Sequence, residues 1–208
     1  MTLETTDQYV KRLKNIGVKE LGKGFFSKVF SHPHNSEVAV KLTCKTDRRY
    51  INYAKKCQQL HENLWLPKIL SINSVKFSNG QRHLIFIERL RAAKAQEVKK
   101  AIHQILAGTN VTNVGKFKTF HDFSTSTWLA VAAQSPSDDI RELAKIMHRL
   151  RPDDLHNGNV MMRGEQLVFT DPVASSAANS TRTTDSNDPY AESSKTLLHK
   201  LMLSPGLK

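Results

Sequence analysis

The rhythm of apolar and polar positions changes once along this chain, near Arg91. Before that point short alternating runs dominate. Phe25–Ser31 and Glu37–Thr43 read as strands joined by the turn-forming Ser31-His32-Pro33-His34-Asn35-Ser36. Ile72–Phe77 and His83–Arg89 alternate around Ser78-Asn79-Gly80, and Asn-Gly between such runs is the strongest short-range hairpin signal. Between the two pairs, Asp47–Leu60 holds no Gly or Pro and predicts a helix. Beyond Arg91 the spacing is helical, with Val98, Ala101, Ile102, Ile105 and Leu106 on one face. Gly108–Gly115 reads as loop. Ser135-Pro136-Ser137-Asp138 offers a capping Ser, a first-position Pro and an acid three residues on. It opens a helix that turns Ile140, Leu143, Ala144, Met147 and Leu150 inward. A hairpin follows, Asn159–Met162 and Gln166–Thr170, turning at Arg163-Gly164-Glu165. From Val173 to Ser194 the chain is rich in Ser, Thr and Asn and reads as a mobile tail. No internal repeat is present.

These elements predict an α+β chain in four stretches. Residues 1–17 form an N-terminal extension, 18–90 an antiparallel sheet with one helix, 91–174 a smaller and mostly helical part, and 175–208 a Ser/Thr-rich tail.

Composition narrows the class without naming a function. The chain has 208 residues, 39% apolar and 24% charged, which excludes collagen, coiled-coil arrays and wholesale disorder. Its longest apolar stretches, Leu84–Ile87 and Trp128–Ala133, are far too short to span a bilayer. Met1–Lys14 is polar and carries no secretory signal core. Cys44 and Cys57 lack the spacing of a disulfide framework or zinc module, so the expectation is a soluble protein of a reducing cytosol. Charge is uneven: residues 1–100 hold 20 Lys/Arg against 8 Asp/Glu, and residues 101–208 hold 11 of each. A basic N-terminal half suits nucleic acid, an acidic protein surface or a polyphosphate, or is simply a solvated face.

Two constellations carry chemistry. In the first, Gly22-Lys23-Gly24-Phe25-Phe26-Ser27-Lys28-Val29 is followed by Val38-Ala39-Val40-Lys41. Glycines on a strand–turn–strand let backbone amides approach phosphate oxygens. Val29 and Ala39 would roof a purine, and Lys41 would reach phosphates as a point charge. In the second, Asp154-Leu155-His156-Asn157-Gly158-Asn159 precedes Asp171 by a short strand pair. Phosphoryl transfer needs a base that orients the acceptor hydroxyl and oxygen ligands for Mg²⁺, which carboxylates and amide carbonyls supply.

Gly22, Gly24, Val29, Ala39, Lys41, Asp154, Asn159 and Asp171 match a reduced protein-kinase pattern. Leu21–Ser27, Phe30–Pro33, Asp154–Met161 and Thr170–Val173 narrow the match. In these segments the chain resembles the early serine/threonine protein kinase of lytic autographivirus-type bacteriophages, from about residue 18 to 174.

That resemblance implies a two-lobed kinase-like fold using ATP and Mg²⁺ in the host cytoplasm. It implies phosphorylation of host proteins, RNA polymerase and RNA-processing ribonucleases among them, and self-phosphorylation, here expected on Ser and Thr of residues 175–196. Longer members of the family carry a further region tied to host transcription shutoff, for which little chain remains here. The implied roles are as follows. Asp154 takes or orients the hydroxyl proton, Lys41 meets the α/β-phosphates, and Gly22, Gly24, Phe26 and Ser27 cover them. Asn159 and Asp171 hold Mg²⁺, and the adenine edge meets the backbone of Glu88 to Leu90. His156 stands where many kinases have Lys, as a γ-phosphate contact or a structural loop histidine. Asp153 precedes Asp154 where an Arg is usual, and Asp171-Pro172-Val173 replaces Asp-Phe-Gly, so activation-loop switching is not expected. The predicted helix offers no internal Glu for Lys41; Asp47 and Glu62 flank it. Two other readings stand beside this one: an aminoglycoside- or choline-type phosphotransferase, and a non-catalytic binder that inhibits host polymerase.

Overall fold

Alternating strands put apolar side chains on one face, and that face needs a cover. The computed structural model describes residues 3–173 and 192–193 and shows what packs on one face of the N-terminal sheet. The chain divides into two units. The first gathers Met1–Arg48 and Ile69–Arg89, the second Arg49–Lys68 and Leu90–Ala174.

In the first unit, helix α1 (Thr6–Asn15) precedes strands β1 (Glu20–Lys23), β2 (Ser27–Ser31), β3 (Val38–Cys44), β4 (Ile69–Phe77) and β5 (Gly80–Glu88). They pair antiparallel in the order β1-β2-β3-β5-β4, and the backbone of Glu192–Ser193 adds a parallel edge pairing to β4. One face of the sheet presents Phe30, Val40, Leu42, Val75, Phe77 and Leu84, packed with Tyr9, Val10, Leu13 and Val18 into one buried cluster. α1 is thus the cover for this face. Residues 1–17 are therefore more than an extension. Thr5 and Gln8 form a reciprocal capping box, at 2.7 and 3.1 Å, that starts the helix. Asn79, in the predicted hairpin turn, accepts from Thr6 N–H at 3.0 Å and so docks the turn on the helix start.

The second unit begins with residues expected to belong to the sheet lobe. Helix α2 (Arg48–Gln59) forms where predicted, yet Arg49–Lys68 groups with the C-terminal elements. The reason lies in where its polar groups are satisfied. Tyr53 Oη donates to the Phe169 carbonyl, and Asn63 Nδ2 donates to the Asp139 carbonyl at 2.9 Å. Arg163 donates to the Leu64 and Leu66 carbonyls at 3.1 and 2.9 Å. Around this segment lie β6 (Arg91–Ala92), α3 (Ala95–Leu106), α4 (Thr125–Gln134), α5 (Asp138–Leu150), β7 (Val160–Arg163) and β8 (Gln166–Phe169). The last two form the predicted hairpin, with Gly164 at φ +58° in its turn, and β6 adds a third strand. Aromatic rings fill the interior: Phe120 meets Phe169 edge-on at 4.7 Å, and Phe123 meets Trp128 at 4.9 Å.

Two local details differ from expectation. α5 is capped by Ser137, whose side chain accepts from Ile140 N–H at 3.4 Å, rather than by Ser135, which is buried and accepts from Ser137 N–H. The apolar stretch Trp128–Ala133 lies in α4, which Ser124 caps. The predicted mobility of the tail lies outside the described residues. No helix among the described residues is long and apolar enough to cross a membrane.

Leu13, fully buried in the α1 cluster, gives a direct test of α1 as core. Leu13→Ala should lower unfolding stability by about 2–5 kcal/mol, read as a fall in the urea midpoint. An unchanged midpoint would return residues 1–17 to the status of an appendage.

Candidate active site

The sheet of the first unit sorts its candidate residues by register. Val29 lies opposite both Gly22 and Lys41, and Ala39 is two residues from Lys41 on the same strand. Direct cross-strand partners and i, i+2 positions share a face. Gly22, Val29, Ala39 and Lys41 therefore lie on the face opposite the one α1 covers. Lys41 is 5% exposed, which is unusual for an ammonium and places it among apolar neighbours of β3 and β5. The glycine turn is closed by Gly24 N–H donating to the Ser27 carbonyl at 2.8 Å. Phe26 anchors it, its carbonyl accepting from Cys44 N–H at 3.1 Å, while Phe25 at the tip is 93% exposed. A Cβ at Gly22 would meet nothing within 4 Å, so the turn leaves open space above that backbone. Glu88 ends β5 opposite Val38, and Leu90 begins the second unit. Asp47 is buried and accepts the Thr43 hydroxyl at 2.9 Å, whereas Glu62 is exposed.

In the second unit, Asp154, His156, Asn159 and Asp171 come together. β7 and β8 pair in register from Val160 opposite Phe169. Continuing that register by one step sets Asn159 beside Thr170. The Asn159 carbonyl accepts from Thr170 N–H at 2.9 Å, from the Thr170 hydroxyl at 3.0 Å and from Asp171 N–H at 3.3 Å. Its side-chain Nδ2 donates to the Asp154 carbonyl at 2.6 Å. One asparagine thus joins both arms of the cluster, while buried Leu155 pins the loop between Asp154 and His156.

His156 touches the loop itself. Its Nδ1 accepts from Gly158 N–H at 2.9 Å, which caps the 3₁₀ turn Asn157–Asn159. With Nδ1 accepting, a neutral ring carries its proton on Nε2, which lies 3.4 Å from Asp154 Oδ1. The ring is placed to orient the Asp154 carboxylate.

The donor chemistry fits a hard divalent cation. Asn159 spends its Nδ2 on the loop, leaving the amide Oδ1 as an acceptor, and Asp171 supplies a carboxylate tied by its own N–H to the same residue. No group of three or more His, Cys, Asp or Glu side chains suited to a metal occurs among the described residues. Two protein oxygens suffice for Mg²⁺, which keeps waters and phosphate oxygens in its shell.

The motif reading assigns no site role to Thr170, Tyr53 or Arg49. Thr170 was within reach of it, since its hydroxyl adjoins Asp171 in sequence. The other two act across more than 100 residues of chain, from Tyr53 to Phe169 and from Arg49 to Asp153.

Residues 3–198 match the family described as Bacteriophage T7 protein kinase 0.7. A comparison with curated protein sequences returned no match. Among solved structures, the chain is similar to a thermostable mutant of aminoglycoside phosphotransferase APH(4)-Ia in ternary complex with AMP-PNP and hygromycin B. That match has 14% identity, 80% of this chain and 70% of that one covered, and a TM-score of 0.39. A second is the fructosamine-3-kinase-like protein of Haemophilus somnus 129PT, at 11% identity, 81% and 71% coverage and a TM-score of 0.38.

The His156 geometry is testable by imidazole ¹⁵N spectra. In its neutral form the ring should show the tautomer with its proton on Nε2. A Cβ at position 158 would sit 2.7 Å from His156 Cε1, so Gly158→Ala should displace the ring and abolish that preference. A wild-type ring protonated on Nδ1 would contradict the arrangement.

Proposed function

The chain belongs to the bacteriophage T7 protein kinase 0.7 family, and we propose that it is an ATP-dependent serine/threonine protein kinase. Its acceptors are host proteins of the early-infected cytoplasm, RNA polymerase and RNA-processing ribonucleases among them, and Ser and Thr of its own residues 175–196. Through these it helps turn host transcription to the phage's use. The observation that carries this reading is the junction at Asn159, whose backbone and side chain hold Asp154 and Asp171 in one cluster.

In this reading the acceptor hydroxyl oxygen forms a bond to the γ-phosphorus, the bond to the β-phosphate oxygen breaks, and ADP leaves. Asp154 orients the hydroxyl and receives its proton. His156 Nε2–H faces Asp154 and holds that carboxylate toward the acceptor. Lys41 pairs with the α/β-phosphates as a fixed positive charge, and the Gly22–Ser27 turn contributes backbone amides. Val29 and Ala39 supply the apolar surface for adenine, whose edge meets the backbone of Glu88 to Leu90. Asn159 and Asp171 would hold Mg²⁺, which when bound neutralises phosphate charge.

Transfer of labelled γ-phosphate to proteins of a host lysate tests this. Asp154→Asn should lower transfer by about 10²–10⁴-fold, the usual contribution of a positioned base. Asp171→Asn or chelation by EDTA should abolish it, with Mg²⁺ restoring only the chelated sample. Label in both variants at the wild-type level would sink the assignment. Label on an aminoglycoside or choline, with no protein labelled, would replace it by a small-molecule phosphotransferase. After incubation with ATP, mass spectrometry should find phosphate on Ser or Thr of residues 175–196; an unmodified tail would remove self-phosphorylation there.

A further inference from the structure

Helix α2 contains no acidic side chain, so it brings no carboxylate to pair with a lysine. It carries two other groups one turn apart, Arg49 and Tyr53, and residues four apart share a helix face. Each is bonded to a different arm of the Asp154–Asp171 cluster.

Arg49 works at the end of α5. That helix closes at Arg151, a left-handed residue at φ +48° whose N–H donates to the Met147 carbonyl, and Pro152 blocks any continuation. Helix ends leave carbonyls without partners. Arg49 Nη2 donates to the Leu150 carbonyl at 2.9 Å and to the Arg151 carbonyl at 3.0 Å, while Nη1 pairs with the Asp153 carboxylate. A guanidinium can serve three acceptors at once from one planar fork, which a lysine cannot reproduce in that geometry. Its positive charge also suits the negative end of the helix dipole. The residue after Asp153 is Asp154. The usual Arg before the base is replaced here by an acid, and its cation stands on α2.

Tyr53 serves the other arm. It is fully buried, burial holds its phenol well above the ordinary range, and the protonated Oη donates to the Phe169 carbonyl. Phe169 is held further by its N–H to the Trp65 carbonyl at 2.9 Å, and it lies two residues before Asp171.

We propose that helix α2 is a fixed brace for the candidate active site, with Arg49 the positioning residue that sets Asp154 in place and Tyr53 its counterpart for Asp171. The catalytic consequence rests on the kinase reading; the mechanical one does not. The brace is built from direct bonds, so the alignment of the two carboxylates needs no phosphate on a loop.

The test uses the full chain with Arg49→Lys and, on the loop side, Asp153→Ala, which removes an exposed group and keeps the experiment open should the first variant fold poorly. Turnover in phosphate transfer should fall about 10- to 100-fold, the usual penalty for a misplaced catalytic group. KM for ATP should rise by less than turnover falls, because neither Arg49 nor Asp153 is among the residues assigned to ATP or Mg²⁺. Hydrogen exchange should quicken at the amides of Asn159, Thr170 and Asp171 and stay unchanged in β3 and β5. Unchanged exchange at those three amides overturns the proposal, and so does wild-type turnover despite faster exchange. A wild-type chain that transfers no phosphate to any acceptor defeats the kinase reading instead, and the exchange result still decides whether Arg49 is a brace.

Discussion

The backbone carbonyl of Asn159 receives Thr170 N–H, the Thr170 hydroxyl and Asp171 N–H, and the same residue's side chain reaches back to the Asp154 carbonyl. The two arms that bear Asp154 and Asp171 meet at this junction. The junction in turn depends on the register of β7 and β8, set by the two-residue turn with Gly164 in the left-handed region. A slip of one residue would reverse the faces of β8 and remove Thr170 and Asp171 from Asn159. The chemistry of this site is therefore anchored in a hairpin, with loop residues held at one end of it.

The first unit meets a different constraint. A five-stranded antiparallel sheet has two faces, and α1 occupies the one bearing Phe30, Val40 and Leu84. The opposite face carries Val29, Ala39 and Lys41, brought into line by cross-strand register. Burying an ammonium is costly unless anionic or polar groups compensate it. Lys41, 5% exposed on that strand, is not without a partner within the chain. The two faces thus differ in kind: one packs on α1, and the other carries the candidate residues Val29, Ala39 and Lys41.

Helix α2 changes what the likeness to larger kinases leads one to expect. The sequence pattern attaches it to the sheet, where a helix carboxylate would pair with Lys41. The structure groups it, from Arg49 on, with the C-terminal elements, where Arg49 and Tyr53 find their partners. The acid at position 153 belongs to the same rearrangement. Asp153, where an arginine is usual, pairs with Arg49 of α2, 104 positions earlier in the chain.

The sequence by itself determined the local things. Period-two alternation with Asn-Gly and Gly-Glu turns specified the hairpins, and a breaker-free run specified α2. The residue types that phosphoryl transfer requires, at fixed short spacing, marked Lys41, Asp154, Asn159 and Asp171. These signals are readable because strand period, turn chemistry and loop spacing are short-range. Tertiary structure alone decided that α1 is core, that α2 serves the loop, that Ser137 rather than Ser135 caps α5, and that His156 points its Nε2 at Asp154. Each of these turns on which distant groups satisfy a buried face, an orphan carbonyl or an N–H. Many partners in one chain can satisfy such groups, so no local pattern names the one that does, and only the packed structure selects it.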